Sequence, residues 1–266
     1  MKLSKIIGHG RTADVYLYKK DTVVKLFKEH FSNEEADKEE KLHTIAQGCG
    51  LPVPKLLDTI MVNGRKGLVY QRIDGSTMLT LMGNHPQKVM DFAHDAACLH
   101  RDILSCKVDT NMVSIHDKYA NWIKKLTLLT DSEKQFALDV LSNLDEDHRL
   151  CHGDFHPDNI LVTDDGQYYI IDWLTATKGS SYADIMRSSI LVTYGAASED
   201  LHLSEDVRRC IECYHSTYLG HLCKLCEINI KDIYQWEVPS LAARLHEGVH
   251  ISEKQLILKK LRSILS

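Results

Sequence analysis

Residues 151–172, CHGDFHPDNILVTDDGQYYIID, place a burst of polar side chains directly before an apolar hairpin. "NILVT" and "QYYIID" alternate like strands, and Asp165-Gly166 between them is a turn signal. Gly153 and Pro157 break the segment before the first strand into a loop. Pairing the strands returns Asp172 to the neighbourhood of Asn159, a few residues beyond Asp154. Few folds tolerate two aspartates, two histidines and an asparagine at the mouth of a buried hairpin. They require a metal, a reacting group or a hydrogen-bonded corner to satisfy them.

The rest of the chain divides around this hairpin. "KLSKII", "DVYLY" and "TVVKLF" read as short strands over residues 1–27, with a turn at "KKD". Residues 33–47 read as a helix capped by Asn33, with acidic residues in its first turn and Leu42, Ile45 and Ala46 on a narrow apolar face. "GLPVP" ends it. "KLLDTIMVNGRKGLVYQRI" reads as a hairpin turning at Asn63-Gly64. From about residue 85 the period becomes helical. Val89, Phe92, Ala93, Ala96, Leu99 and Ile103 form one stripe, and Thr130 with Glu133 has the form of a capping box. "DKYANWIKKLTLL" and "SEKQFALDVLSNL" are helical, as is the chain from about 181. The expected fold is α+β: a small antiparallel β lobe with one helix over residues 1–73, then a larger, mainly helical lobe over residues 74–266 that carries the hairpin.

Asp154, Asn159 and Asp172 are the leading candidates for chemistry. Their oxygens are hard ligands that suit Mg²⁺ better than a soft metal. One carboxylate can hold the ion while another accepts a proton from an incoming hydroxyl, the division of labour that phosphoryl transfer uses. "HGDFHPDNIL" followed by "IIDW" closely resembles the aminoglycoside phosphotransferase and choline kinase-like family, which shares the bilobal protein-kinase-like fold. The resemblance implies that Asp154 is the catalytic base, that Asn159 and Asp172 are Mg²⁺ ligands, and that His152 braces the loop. His156 and Asp158 read as loop-shaping groups, and His100 as a satisfied structural histidine. "IGHGRTADVY" is similar to the family's phosphate-binding loop, with Gly8 and Gly10 letting backbone N–H groups near the phosphates; Ala13 stands where protein kinases have a third glycine. Lys25 in "VVKLF" is placed like the lysine that holds the nucleotide phosphates. Glu39 fits best as its partner, with Glu40 as the other choice. "LVYQRIDGSTML" resembles the inter-lobe hinge, so Gln71, Arg72 and Ile73 would meet the adenine through their backbone. Asp184 in "GSSYAD" would hold the catalytic loop.

By this resemblance the cofactors are ATP or GTP with Mg²⁺, and the acceptor is a hydroxyl. Eleven residues separate Asp172 from Asp184, and no Ala-Pro-Glu segment follows. That leaves no room for a peptide-binding activation segment, so the acceptor is expected to be a small molecule such as an aminoglycoside or amino alcohol. Its contacts are expected within residues 182–250, where Glu237 and Glu247 read either as ligands for a cationic acceptor or as solvated helix faces.

Composition excludes little but is consistent. Of the 266 residues, 44% are hydrophobic and 26% charged, which supports a packed core. The net charge of −5 gives no reason to expect nucleic acid or an anionic membrane. No apolar run is long enough to span a bilayer, and no protein partner is expected. The first ten residues lack a signal-peptide pattern, so a cytoplasmic location is expected. Cys210, Cys213, Cys223 and Cys226 have the CxxC…CxxC form of a zinc site, but "CIECY" and "CKLCE" sit in helical surroundings without turn residues, so they read as small hydrophobes. Two alternatives compete with the kinase reading. One is a metal-dependent hydrolase built on His152, Asp154, His156 and Asp172, which leaves Gly8 to Lys25 unexplained. The other is a catalytically silent nucleotide binder, which the presence of Lys25, Asp154, Asn159 and Asp172 opposes.

Overall fold

The computed structural model describes residues 5–108, 111–197 and 203–265. In chain order the strands and helices are β1 (Ile6–His9), β2 (Ala13–Leu17), β3 (Thr22–Phe27), α1 (Asn33–Gly48), β4 (Leu56–Val62), β5 (Arg65–Gln71), β6 (Gly75–Thr77), α2 (Met78–Asn84) and α3 (Val89–Ser105). There follow α4 (Ile115–Lys124), α5 (Asp131–Ser142), β7 (Arg149–Cys151), β8 (Ile160–Thr163), β9 (Tyr168–Ile170), β10 (Thr177–Gly179), α6 (Ser181–Ala197), α7 (Glu205–Leu225), α8 (Ile230–Tyr234), α9 (Glu237–Leu245) and α10 (Ile251–Leu265). They form two compact units. One is Met1–Leu81 with Pro157–Thr175, and the other is Met82–His156 with Ala176–Ser266. The sequence division at residue 73 follows the resemblance to an inter-lobe hinge; the compact units group the β8–β9 hairpin with the N-terminal strands.

In the first unit a five-stranded antiparallel sheet has the order β1-β2-β3-β5-β4. Central β3 alternates its side chains between the two faces of the sheet. Val24 and Leu26 pack with Val62 and Val69 on one face. Phe27 and the partly buried Val23 pack with Ala36 of α1, Leu68 and Tyr70 on the other. Lys25 shares the phase of Val23 and Phe27, and so is aimed at α1. The β4–β5 turn has Asn63 at φ 52° and Gly64 at φ 79°, the left-handed pair of a type I′ hairpin.

The N-terminal details differ from the sequence reading in two places. The first strand is Ile6–His9, not the stretch "KLSKII", whose residues before Lys5 lie outside the described ones. Ser32, not Asn33, occupies the helix cap, and makes no side-chain cap bond. Asn33 is already helical, and its amide is used elsewhere: Oδ1 accepts from the Lys66 N–H at 2.7 Å and Nδ2 donates to the Gly64 carbonyl at 3.3 Å. It ties α1 to the hairpin turn.

The β8–β9 hairpin joins β6 in a three-stranded sheet of order β6-β8-β9. Its turn has Gly166 at φ 80°. Gly75 of β6 faces Thr163, and a Cβ there would run into the Val162 carbonyl.

The second unit is mainly helical. The buried stripe of α3 holds all six positions expected from the sequence and packs along α7. Thr130 and Glu133 form the capping box that opens α5. β7 and β10 pair as a two-stranded antiparallel ribbon just before residues 152–154 and before α6. Among the described residues no helix is long and apolar enough to cross a membrane.

Gly75→Ala is therefore expected to destabilise by about 1–3 kcal/mol through overpacking against backbone. Gly83→Ala, in α2 where a Cβ meets nothing within 4 Å, should be neutral or slightly stabilising. Thermal unfolding of both variants checks this contrast.

Candidate active site

In the first unit, the alternation of β3 and the helical period of α1 bring Lys25 and Glu39 together. Ala36 and Glu39 are one turn apart on the face that packs on the sheet. The Lys25 ammonium donates to both Glu39 oxygens, at 2.7 and 2.8 Å, and to Asp172 Oδ1 at 3.0 Å. Glu40, the alternative partner, instead binds Lys66 at 2.6 Å. Glu39 is 2% exposed, so its charge is tenable only with a cation beside it. Burial pulls the Lys25 ammonium toward deprotonation, but Glu39 and Asp172 outweigh it and hold it well above its ordinary value. Burial also pushes the Glu39 carboxyl up, against the pull of Lys25.

Asp172 has φ +64°, in the left-handed region that aspartate tolerates better than most residues. This turn follows β9 and delivers its carboxylate to Lys25. Asn159 is buried at the foot of β8, and its carbonyl accepts from the Ile171 N–H at 3.0 Å. The last rung of the hairpin thus places Asn159 opposite Ile171, the residue before Asp172.

The glycines of the first loop differ in what they do. The Gly10 N–H donates to the Ala13 carbonyl at 2.9 Å, and a Cβ on Gly10 would lie 2.8 Å from that oxygen. Gly10 is sterically required by the tight turn. A Cβ on Gly8 would make ordinary contact with Val15. At the end of β5, the Gln71 N–H donates to Lys55 and the Arg72 N–H to Asp21, while the Arg72 side chain pairs with Asp74. Ile73 follows outside the strand.

In the second unit, Asp184 is fully buried in the first turn of α6. Its oxygens accept from the His152 and Gly153 N–H groups, both at 2.8 Å, and lie 3.0 Å from His100 Nε2. His100 also bonds the Tyr218 hydroxyl and stacks on Phe155 with ring centres 4.3 Å apart. His152 is fully buried, and its Nδ1 accepts from the Asp154 N–H at 3.2 Å. The loop is thereby fixed through its backbone, and Gly153 is at φ 76°.

Asp154 is partly exposed and lies 3.6 Å from His156 Nε2. Burial would raise its carboxyl, but His156, Arg187 and His152 outweigh that and hold it well below the usual carboxylate range. It is an anion at neutral pH, able to orient a hydroxyl.

Sequence reasoning missed Arg187, one turn after Asp184 on α6. It is buried and donates from Nε to the Gly153 carbonyl. The only signal was its i,i+3 spacing from Asp184. Glu247 is not a solvated helix face: its carboxylate is 10% exposed and pairs with Arg187 and Arg244. Glu237 pairs with Lys260 at 3.2 Å. Cys210, Cys213 and Cys223 lie along helix α7 and Cys226 caps it. Among the described residues, no group of three or more His, Cys, Asp and Glu side chains is arranged to hold a metal ion.

Residues 4–204 match the APH phosphotransferase enzyme family, and the chain belongs to it. Among curated proteins none matches the sequence. Solved structures share the fold. An apo thermostable mutant of the aminoglycoside phosphotransferase APH(4)-Ia superposes with TM-score 0.68 at 14% identity, covering 98% of this chain and 94% of that one. An ethanolamine kinase of Plasmodium vivax gives 0.61 at 14% identity, with 97% and 80% covered. A GDP complex of wild-type aminoglycoside 2'-phosphotransferase-IIIa gives 0.58 at 17%, with 99% and 93% covered. The chain is a small-molecule phosphotransferase by family, and the hydrolase alternative finds no support.

Three outcomes are expected. Lys25→Met should lower stability by about 3 kcal/mol by leaving Glu39 buried and unpaired, and adding Glu39→Gln should recover part of the loss; a double-mutant cycle by chemical denaturation measures both. Asp184→Asn should lower Tm most near pH 7. The Asp184 carboxyl would be raised by burial, but His100, His152 and the Gly153 N–H hold it below its ordinary value. Its contribution is present above the unfolded-state value of about 3.9 and is lost as pH falls through the folded value. The Tm gap should therefore narrow below about pH 4. Finally, EDTA should leave Tm unchanged, whereas a zinc site at the cysteines would lower it.

Proposed function

We propose that the protein transfers the γ-phosphate of ATP or GTP to a hydroxyl of a small molecule, in the class of aminoglycosides and amino alcohols. The observation that carries this is the Lys25 ammonium bonded at once to Glu39 and Asp172 in a phosphotransferase-family chain. A lysine so held is charged and immobile, and suits the phosphates of a nucleotide. The relatives' bound GDP and the acceptor named for the ethanolamine kinase support the nucleotide and acceptor classes.

In this reading Gly8 and the tight turn that Gly10 allows let backbone N–H groups of the loop, other than that of Gly10, approach the phosphates, and Ile73 with the backbone of Gln71 and Arg72 faces the adenine. Asn159 and Asp172 would hold Mg²⁺. Their oxygen donors fit a hard ion that takes its remaining ligands from phosphate and water. When bound, the ion supplies positive charge against the charge that develops on the phosphoryl group. Asp154 accepts the acceptor's proton late, in a loose transition state, so a weakly basic carboxylate suffices to orient the hydroxyl. His152 and Asp184 keep that carboxylate in place. Functionally, residues 1–73 would handle the nucleotide, and residues 74–266 would carry the catalytic hairpin and the acceptor site. The eight free cysteines suit a reducing, cytoplasmic setting.

The test is nucleotide turnover with Mg²⁺ across aminoglycosides, choline, amino alcohols and sugars. One acceptor should stimulate release of the nucleoside diphosphate. Asp154→Asn should cut turnover by about 10²–10⁴-fold while nucleotide affinity is retained. Turnover unaffected by Asp154→Asn would remove the proposed role of Asp154.

A further inference from the structure

Gly153 is gripped on both sides from one helix. Asp184 takes its N–H, and Arg187, one turn later on α6, donates from Nε to its carbonyl. That carbonyl belongs to the peptide leading into Asp154, so its plane sets where the Asp154 side chain starts. The grip at Arg187 depends in turn on a line of alternating charges. Arg187 Nη1 donates to Glu247 Oε1 at 2.6 Å. Glu247 Oε2 accepts from Arg244 Nη1 at 2.5 Å, and Arg244 Nε donates to Glu253 Oε1 at 2.8 Å. The line runs from the loop through α6 and α9 to α10. Both arginines and Glu253 are buried.

Physical chemistry gives Glu247 a specific task. A buried guanidinium has five donors, and one carbonyl leaves its charge uncompensated. Arg187 already interacts electrostatically with Asp154. Without another anion, its remaining edge would turn toward that carboxylate and compete with the acceptor hydroxyl. We propose that Glu247 is a positioning residue for phosphoryl transfer. It holds Arg187 on the Gly153 carbonyl, and so keeps Asp154 presented to the acceptor rather than to Arg187. The catalytic half of this proposal rests on the phosphotransferase reading; the Glu247–Arg187–Gly153 link does not.

The experiment compares Glu247→Gln, Glu247→Asp and Leu261→Ala with the wild-type chain. Leu261 is buried on α10 and has no part in the charge line; its truncation controls for lost stability. Glu247→Gln should lower kcat about 10–100-fold with the nucleotide KM unchanged. Glu247→Asp should restore part of kcat, and Leu261→Ala should lower Tm without that selective fall. A second readout needs no turnover: the Arg187 Nε proton, seen by ¹H–¹⁵N NMR, should exchange slowly in the wild type and rapidly in Glu247→Gln. If kcat in Glu247→Gln falls no more than in Leu261→Ala at matched Tm loss, the catalytic role is overturned. Protection that survives in Glu247→Gln overturns the link itself. A wild-type chain silent with every acceptor, but with protection lost in Glu247→Gln, supports the link and overturns the phosphotransferase reading and the catalytic role together.

Discussion

A buried charge needs a partner, and in this protein that requirement organises the first unit. Glu39 is almost fully enclosed between α1 and the sheet, where an isolated carboxylate would cost several kcal/mol. Lys25 compensates it, and can do so only from a strand residue in phase with Val23 and Phe27. The same ammonium reaches Asp172, so the turn after β9 is drawn to β3. One ion triad thus ties α1, β3 and the turn after β9 together. It also leaves an ordered lysine and a carboxylate side by side, the polar equipment a polyphosphate requires.

The second unit solves a related problem with backbone groups. The loop at residues 152–154 has little regular structure, and its N–H groups need acceptors. Asp184 supplies two oxygens to two successive N–H groups, and His100 and Tyr218 extend the bonding into α3 and α7. The helix core is thereby connected to the loop that carries Asp154. Preorganisation of this kind matters for a reaction whose catalysis is mainly positioning and electrostatics.

Much of this was legible in the sequence where the determinants are local. Asp154, Asn159 and Asp172 lie within one loop and one hairpin, and Asn63-Gly64 and the Thr130–Glu133 box act over a few residues. Lys25 and Glu39 were legible at one remove, through strand phase and helix period; choosing Glu39 over Glu40 needed the helix's rotation about its axis. Asn33 looked like a cap because its type favours caps, but the nearby hairpin turn offered its amide better partners than the helix end did. Arg187 and Glu247 were not legible. They are 60 residues apart with no pattern linking them, and an exposed helix end would use the same residue types. The cysteines show the reverse case, a strong spacing signal overridden by helical geometry.

The most direct test of the central claim is ³¹P NMR of the protein with ATP or GTP, Mg²⁺ and the acceptor that best stimulates turnover. The account predicts a new phosphomonoester resonance that grows as the γ-phosphate signal falls, with the phosphorus carried on the acceptor. Inorganic phosphate as the sole product, formed at the same rate without the acceptor, would contradict it and make the protein a nucleotide hydrolase.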